Sequence, residues 1–222
     1  MTQSGWDLFL GSLGPIVGGA IAGTIPLTLV SFAVGLALAV GIALMRLSRV
    51  RVVSAIARVY ISLVRGTPLL VQLFVIFYGL PSIGVVLDPW PSAVIAFSVN
   101  VGGYGAEVVR AAILSVPKGQ WEAAYMIGMS HRQALTRIVL PQAARVSVPP
   151  LSNTFISLVK DTSLASLILV TELFREAQKA AAFSQEFMLL YLEAALVYWV
   201  ICLALSAAQA RLEHRLDRHV AR

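Results

Sequence analysis

The sequence predicts an all-α membrane protein: five transmembrane helices folded as a single domain over residues 1–222. Three observations carry this expectation. Of the 222 residues, 58% are hydrophobic and only 13% charged, about half the charge of a soluble domain. Long windows contain no Asp, Glu, Lys or Arg: 8–45, 66–87, 89–106, 146–159, 162–171 and 194–210. The cations gather in a few connecting segments. With a mean hydropathy of +0.82, the chain has too little charge to cover itself with polar surface, so its exterior faces lipid.

A helix needs about 20 residues to cross roughly 30 Å of hydrocarbon. The uncharged windows, with a few internal charges tolerated, then place helices at 18–45, 58–80, 91–113, 148–171 and 188–210. The first contains Pro26, which lipid-spanning helices tolerate better than soluble ones. The apolar start lacks a basic n-region and its apolar part is too long for a cleaved signal peptide. In the second, Gly66 and Pro68 favour a local kink whose freed carbonyls could line a path. The fourth is expected to begin near Pro149 and Pro150, proline being favoured in a first helical turn. The fifth contains Glu193 near its outer end, expected at the headgroups and without a functional role.

The cations orient the chain. Arg46, Arg49, Arg51 and Arg58 follow the first helix, while Arg110, Lys118, Arg132, Arg137 and Arg145 surround the connection from third to fourth. Arg211, Arg215, Arg218 and Arg222 close the chain, so 13 of 17 Lys and Arg lie on one side. By the positive-inside rule the N-terminus is outside and the C-terminus cytoplasmic. Trp90 and Tyr78 fit an outer aromatic belt. The net charge of +6 is thereby explained without nucleic acid. Cys202 is the single cysteine, which excludes an intrachain disulfide.

The longest polar segment is the loop at about 114–147. A structureless loop of that length is unusual, and its residues suggest short helices. Ser115, Val116 and Pro117 start one, with Trp121, Ala124, Tyr125 and Gly128 at i, i+3, i+4 and i+7. Gly128 allows a turn, and 130–140 forms a further turn or two before Pro141. By composition alone, an amphipathic helix lying on the membrane surface is the alternative.

Within this loop residues 122–141 read EAAYMIGMSHRQALTRIVLP. Glu122, Ala123, Ala124, Gly128, Ile138, Leu140 and Pro141 reproduce the spacing of the cytoplasmic loop of ABC-importer permeases. The segments RGTPLLVQLFVIFYGLP at 65–81, PQAARVSVPPLSN at 141–153 and FISLVKDTSLASLI at 155–168 are similar to those of permeases for polar amino acids. The chain thus resembles the permease subunit of a polar amino-acid ABC importer, and looks most like cystine permeases. The resemblance implies a type I importer permease fold and a loop that docks on an ATPase. It implies a second permease subunit, as homodimer or heterodimer, two ATPase subunits and an extracytoplasmic amino-acid-binding protein, in a bacterial plasma (inner) membrane. Glutamine, arginine or histidine are alternative substrates, and a non-transporting sensor or scaffold is the alternative of another class.

As a docking element, the loop would present a helix face to a cleft. Ala123 and Ala124 permit close approach, Glu122 supplies an ionic contact and Gly128 gives φ freedom. Lys160 and Asp161 interrupt the fourth span. With a start at Pro149, residue 160 lies about 15 Å along the helix, where charges normally face a cavity or partner. Adjacent side chains point apart, so these two are poorly placed to pair together. A zwitterionic amino acid would suit them, with Thr162 and Ser163 as hydrogen-bonding neighbours. Ion pairing to Arg65 and Glu107 is the structural alternative. Arg65 and Gln72, seven residues apart, share one face of the second helix, and Arg65 could instead snorkel to the interface. Asn100, Tyr104 and Glu107 share a face of the third, where Glu107 could simply pair with Arg110.

No G-x-x-x-x-G-K-[ST] appears, so ATP and Mg belong to the partner ATPase and this chain is expected to bind no cofactor. Nor is there an H-E-x-x-H, a paired catalytic carboxylate or a Cys/His cluster, so neither an enzyme nor a metal site is expected. His131, His214 and His219 read most simply as solvated.

Overall fold

The computed structural model describes residues 5–217, with side chains to Arg215. Arg218, His219 and Arg222 lie outside the described residues. Within them the chain is helical, with no strand. Helix α1 runs Gly5–Leu47, α2 Arg51–Gly66, α3 Leu69–Ile83 and α4 Pro89–Ser115. They are followed by α5 at Lys118–Met126, α6 at His131–Ile168, α7 at Leu173–Ser184 and α8 at Phe187–Asp217.

Helices α1, α4 and α8 are each long and apolar enough to cross a membrane. Five spans result only if the pairs α2–α3, bent by 106°, and α6–α7, bent by 49°, each count as one. The expected third and fifth helices fall inside α4 and α8. The other three need correction. The first begins at Gly5 rather than 18. The second, expected at 58–80, is two helices, because Thr67 and Pro68 are both extended, with ψ of 145° and 139°. Proline forces its predecessor out of the α region. The fourth does not start at Pro149: α6 begins at His131 and passes through Pro141, Pro149 and Pro150 without a break.

Three prolines survive within helices by one device. Pro26, Pro81 and Pro141 each follow a five-residue π-turn, at Ala20–Thr24, Val75–Gly79 and Leu135–Val139. In each case the residue before the proline reaches back five positions: Ile25 N–H to Ala20 O, Leu80 N–H to Val75 O and Leu140 N–H to Leu135 O. The extra residue displaces the carbonyl that the proline ring would otherwise strike.

The bundle is held by small residues. Helix α1 carries Ser31, Gly35, Ala39 and Ala43, all buried, against Ser98, Val101, Gly102 and Gly105 of α4. A Cβ on Gly35 would stand 2.6 Å from Val101 Cβ, and one on Gly105 2.9 Å from Ala39 Cβ. Such close backbone approach is what dispersion-driven packing in lipid requires. Gly102 admits the Tyr60 hydroxyl, which donates to Val99 O at 2.7 Å.

At the far end of the bundle α1 meets α7 and α8 through Ile16, Ala20, Leu173, Ala177 and Ala194. Two buried carboxyls sit in this region. Glu172 caps α7, accepting from Arg175 N–H (2.7 Å) and Phe174 N–H (2.9 Å), and also takes the Tyr198 hydroxyl at 2.8 Å. Thr24, in the π-turn of α1, reaches the same carboxylate at 3.4 Å and accepts from Leu173 N–H at 3.2 Å. Glu193 is 1% exposed, with Ser12 Oγ donating to it at 2.6 Å. It is therefore a helix–helix contact rather than a headgroup residue.

The seam at Glu172 depends on Gly23, where a Cβ would collide with Thr171 O. Gly23→Ala is expected to destabilise the protein by about 1–3 kcal/mol through overpacking against backbone. Gly18→Ala, with nothing within 4 Å of the added carbon, should be neutral or slightly stabilising through helix propensity. Thermal unfolding in detergent would compare the two, and equal midpoints would contradict the close seam.

Candidate functional site

Two features stand apart from the packed core. The first is a polar cavity of about 420 Å³ where the α2–α3 break, the middle of α4 and the second half of α6 converge. Thr67 and Pro68 form one wall, Asn100 and Tyr104 a second, and Asp161 part of the third. Asn153, Thr154 and Ser157 line it too, although they are not among the expected site residues. Asn153 and Ser157 fall in the permease-like segments 141–153 and 155–168, and with Asp161 they follow an i, i+4, i+8 spacing that gives α6 a polar face.

Gln72 explains how the break is held. Its amide donates to Val64 O at 2.8 Å, Thr67 O at 3.1 Å and Thr67 Oγ1 at 3.0 Å. These carbonyls, expected to be freed by the kink, are therefore satisfied. Gln72 Oε1 in turn accepts from Asn100 Nδ2 at 3.1 Å, which fastens the break to α4. Arg65 and Gln72 lie on different helices, not on one face. The Arg65 guanidinium sits 5.5 Å over the Tyr104 ring, a cation–π contact at the edge of the cavity wall.

The remaining expected residues disperse. Glu107 pairs with Arg110 in a bidentate contact, 2.7 Å at its shortest. Among the described residues no ion pair joins Lys160 or Asp161 to Arg65 or Glu107. Lys160 and Asp161 occupy the last α-helical turn of α6 before its 3-10 ending at Thr162–Ile168. Asp161 faces the cavity, whereas Lys160 is exposed and outside its wall. Thr162 is fully buried and donates to Val159 O at 2.7 Å. Ser163 donates to Lys160 O at 2.8 Å and borders a separate small cavity with Tyr198.

The second feature is the loop around α5, at the end of the bundle that carries Arg46 and Arg49. It is a helical hairpin closed by a tight turn. Gly128 takes φ +80°, a conformation that a side chain would strain. Ser130 then caps α6 in a reciprocal capping box with Gln133. Trp121 stacks on His131 with centroids 5.2 Å apart, and the Tyr125 hydroxyl lies 2.9 Å from His131 Nδ1. His131 is thus a structural clasp rather than a merely solvated group. Gln142 joins the start of α5 to α6 through Gln120 Oε1 at 3.1 Å.

The hairpin is anchored by Trp121, Leu135, Val139 and Leu140 against Ala43, Val109 and Ile113. Ala124 is 3% exposed and so points inward. Glu122, Ala123, Gly128 and Pro141 are exposed, and Ile138 half-buried. The outermost apolar side chains are Met126 and Ile127, 87% and 74% exposed. Two large apolar residues immediately before a glycine in a polar loop were their sequence signal.

Known proteins resemble this chain in sequence and fold. The family model described as the inner membrane component of binding-protein-dependent transport systems matches residues 31–218. The chain is 60% identical over 218 residues to the L-cystine transport system permease protein TcyB of Bacillus subtilis (strain 168), covering 98% of this chain and 93% of TcyB. It superposes with a TM-score of 0.89 on a crystal structure of an amino acid ABC transporter with histidines, at 32% identity and coverage of 97% and 100%. An inward-facing methionine ABC transporter, MetNI, shares the fold with a TM-score of 0.74 at 19% identity, covering 90% of this chain and 96% of that one. The fold is that of type I ABC importer permeases.

The capping box provides a test of the hairpin's rigidity. Ser130→Ala should cost about 1 kcal/mol of local stability, read as roughly fivefold faster amide exchange at Gln133, while Ser130→Thr retains most protection. Unchanged exchange in the alanine variant would show that the cap does not hold the turn.

Proposed function

The chain belongs to the family of inner membrane components of binding-protein-dependent transport systems, and we propose that it is the membrane subunit of an ATP-driven importer of cystine or a related polar amino acid. The observation that carries this reading is the anchored hairpin, which holds Glu122, Ala123, Met126 and Ile127 outward at the cation-rich end. Relatives that transport amino acids supply the substrate class.

In this reading the cation-rich end faces the cytoplasm, the N-terminus is outside and the protein resides in the bacterial inner membrane. Two ATPase subunits, which hold ATP and Mg, receive the hairpins by helix-in-groove contact. Met126 and Ile127 fill an apolar pocket, and Glu122 contributes at its rim. Ala124, Ile138, Leu140 and Pro141 serve the same dock from behind by fixing the hairpin to the bundle. The chain itself makes and breaks no bond.

Asn153, Ser157 and Lys160 are exposed along α6. In lipid such a polar face would be costly, and a second permease subunit would cover it. The cavity of Asn100, Tyr104 and Asp161 then lies between subunits and forms part of the substrate path. Asp161 receives the amino group, and Asn100 supplies hydrogen bonds. Arg65, held over Tyr104, is placed for the carboxylate. Gln72 acts indirectly by holding the break, and Glu107 through its pair with Arg110. Lys160, Thr162 and Ser163 shape the end of α6 beside the path. An extracytoplasmic binding protein delivers the substrate. ATP-driven closure of the ATPases moves the hairpins and shifts the population between inward- and outward-facing packings.

The test uses liposomes containing the chain, its ATPase and its binding protein. ATP-dependent cystine accumulation is expected, with competition by related amino acids defining the range. Asp161→Asn should lower uptake by about a hundredfold, the scale of one lost charge-assisted contact, with assembly and basal ATP hydrolysis intact. Removing residues 122–128 should abolish stimulation of the ATPase by the loaded binding protein. Uptake retained in the first variant, or stimulation retained in the second, would refute the corresponding role.

A further inference from the structure

We propose that the large cavity beneath the hairpin is a binding site for an anionic phospholipid. The proposal rests on the reading that this end of the bundle meets the cytoplasmic leaflet. The cavity, about 640 Å³, lies where the ends of α1 and α4 meet α5 and the start of α6. Its walls are apolar, with Leu44, Leu47 and Leu114 prominent among them, and Trp121 closes the side nearest the hairpin. Leu44 and Leu114 are 37% and 60% exposed, so uncovered hydrocarbon lines the space. At its edge stand Arg49, just after α1, and Lys118, the first residue of α5. No carboxylate lines the cavity, and neither cation makes an ion pair among the described residues.

An apolar slot rimmed by two unpaired cations is complementary to one ligand chemistry, a phosphodiester carrying an acyl chain. A soluble anion would gain the cations but leave the leucines uncovered. A zwitterionic lipid would gain the leucines but bring its own ammonium to the cations. The phosphate would bridge Arg49 and Lys118, with the chain along Leu44, Leu47 and Leu114. Because Lys118 opens α5, the bridge would brace the docking helix against the first span. Lipid occupancy therefore stiffens the lever through which the ATPase acts, without touching the substrate cavity.

The experiment measures lipid retention directly and requires no transport. The full chain, purified in complex with its ATPase, is titrated with dioleoylphosphatidylglycerol or dioleoylphosphatidylcholine and examined by native mass spectrometry. The wild type should retain the anionic lipid in preference to the zwitterionic one. The Arg49→Gln, Lys118→Gln double variant should lose about thirtyfold of that affinity, given the contribution of each interfacial cation. Leu114→Gln, at an exposed position, should reduce retention by removing apolar lining while leaving the two cations unchanged. Equal retention of both lipids by the wild type would overturn the proposal, as would unchanged retention in the double variant. Displacement of the lipid by excess inorganic phosphate would also overturn it, because the site would then be one for a soluble anion. If retention behaves as expected but the liposomes accumulate no amino acid, the transport reading fails and the lipid site stands.

Discussion

The close approach of α1 and α4 is the constraint on which the rest of the molecule depends. Lipid provides no hydrophobic drive for two apolar helices to associate, so contact area and backbone proximity must hold them. Gly35, Ala39 and Ala43 on one side, with Gly102 and Gly105 on the other, bring the backbones together. Once α4 is fixed in this way, Asn100 and Tyr104 are presented on its other side to the broken α2–α3 pair and α6. Its C-terminal end then delivers the chain into α5. Cavity and hairpin thus share one support.

Proline is used in two opposite ways on this scaffold. At Pro68 the preceding residue goes extended, the helix ends and the chain turns by 106°. Gln72 takes the carbonyls left behind and joins the break to Asn100. At Pro26, Pro81 and Pro141 a π-turn absorbs the same ring and the helix continues. Because α6 is continuous through Pro141, Pro149 and Pro150, a single helix connects the hairpin to Asp161 at the cavity.

Much of the hairpin is legible from residues alone, since its turn and cap are local. Gly128 marks the positive φ, and Ser130 with Gln133 forms a capping box of fixed spacing. The inward direction of Ala124 is less legible, because a single alanine in a polar loop carries no hydropathy signal. The polar cavity is half legible. Asn100, Tyr104 and Asp161 stand out as polar residues in apolar spans, whereas Gln72 reads as lining and in fact staples a break. Glu172 carries almost no signal. Its role as cap and cross-link needs Thr24 and Tyr198, which lie 148 and 26 residues away in the chain.

The sequence by itself determined the helical class, the charge asymmetry and the local turn of the hairpin, because hydropathy and short-range spacing are written residue by residue. Only the tertiary structure decided that the second expected helix is broken at Pro68 while α6 runs through Pro141, Pro149 and Pro150. The same residue, proline, ends one helix, follows a widened turn at Pro141 and sits in plain α-helix at Pro149 and Pro150. Tertiary structure also decided which polar residues share a cavity and which serve as staples. That assignment depends on contacts between helices distant in the chain, which no local pattern specifies.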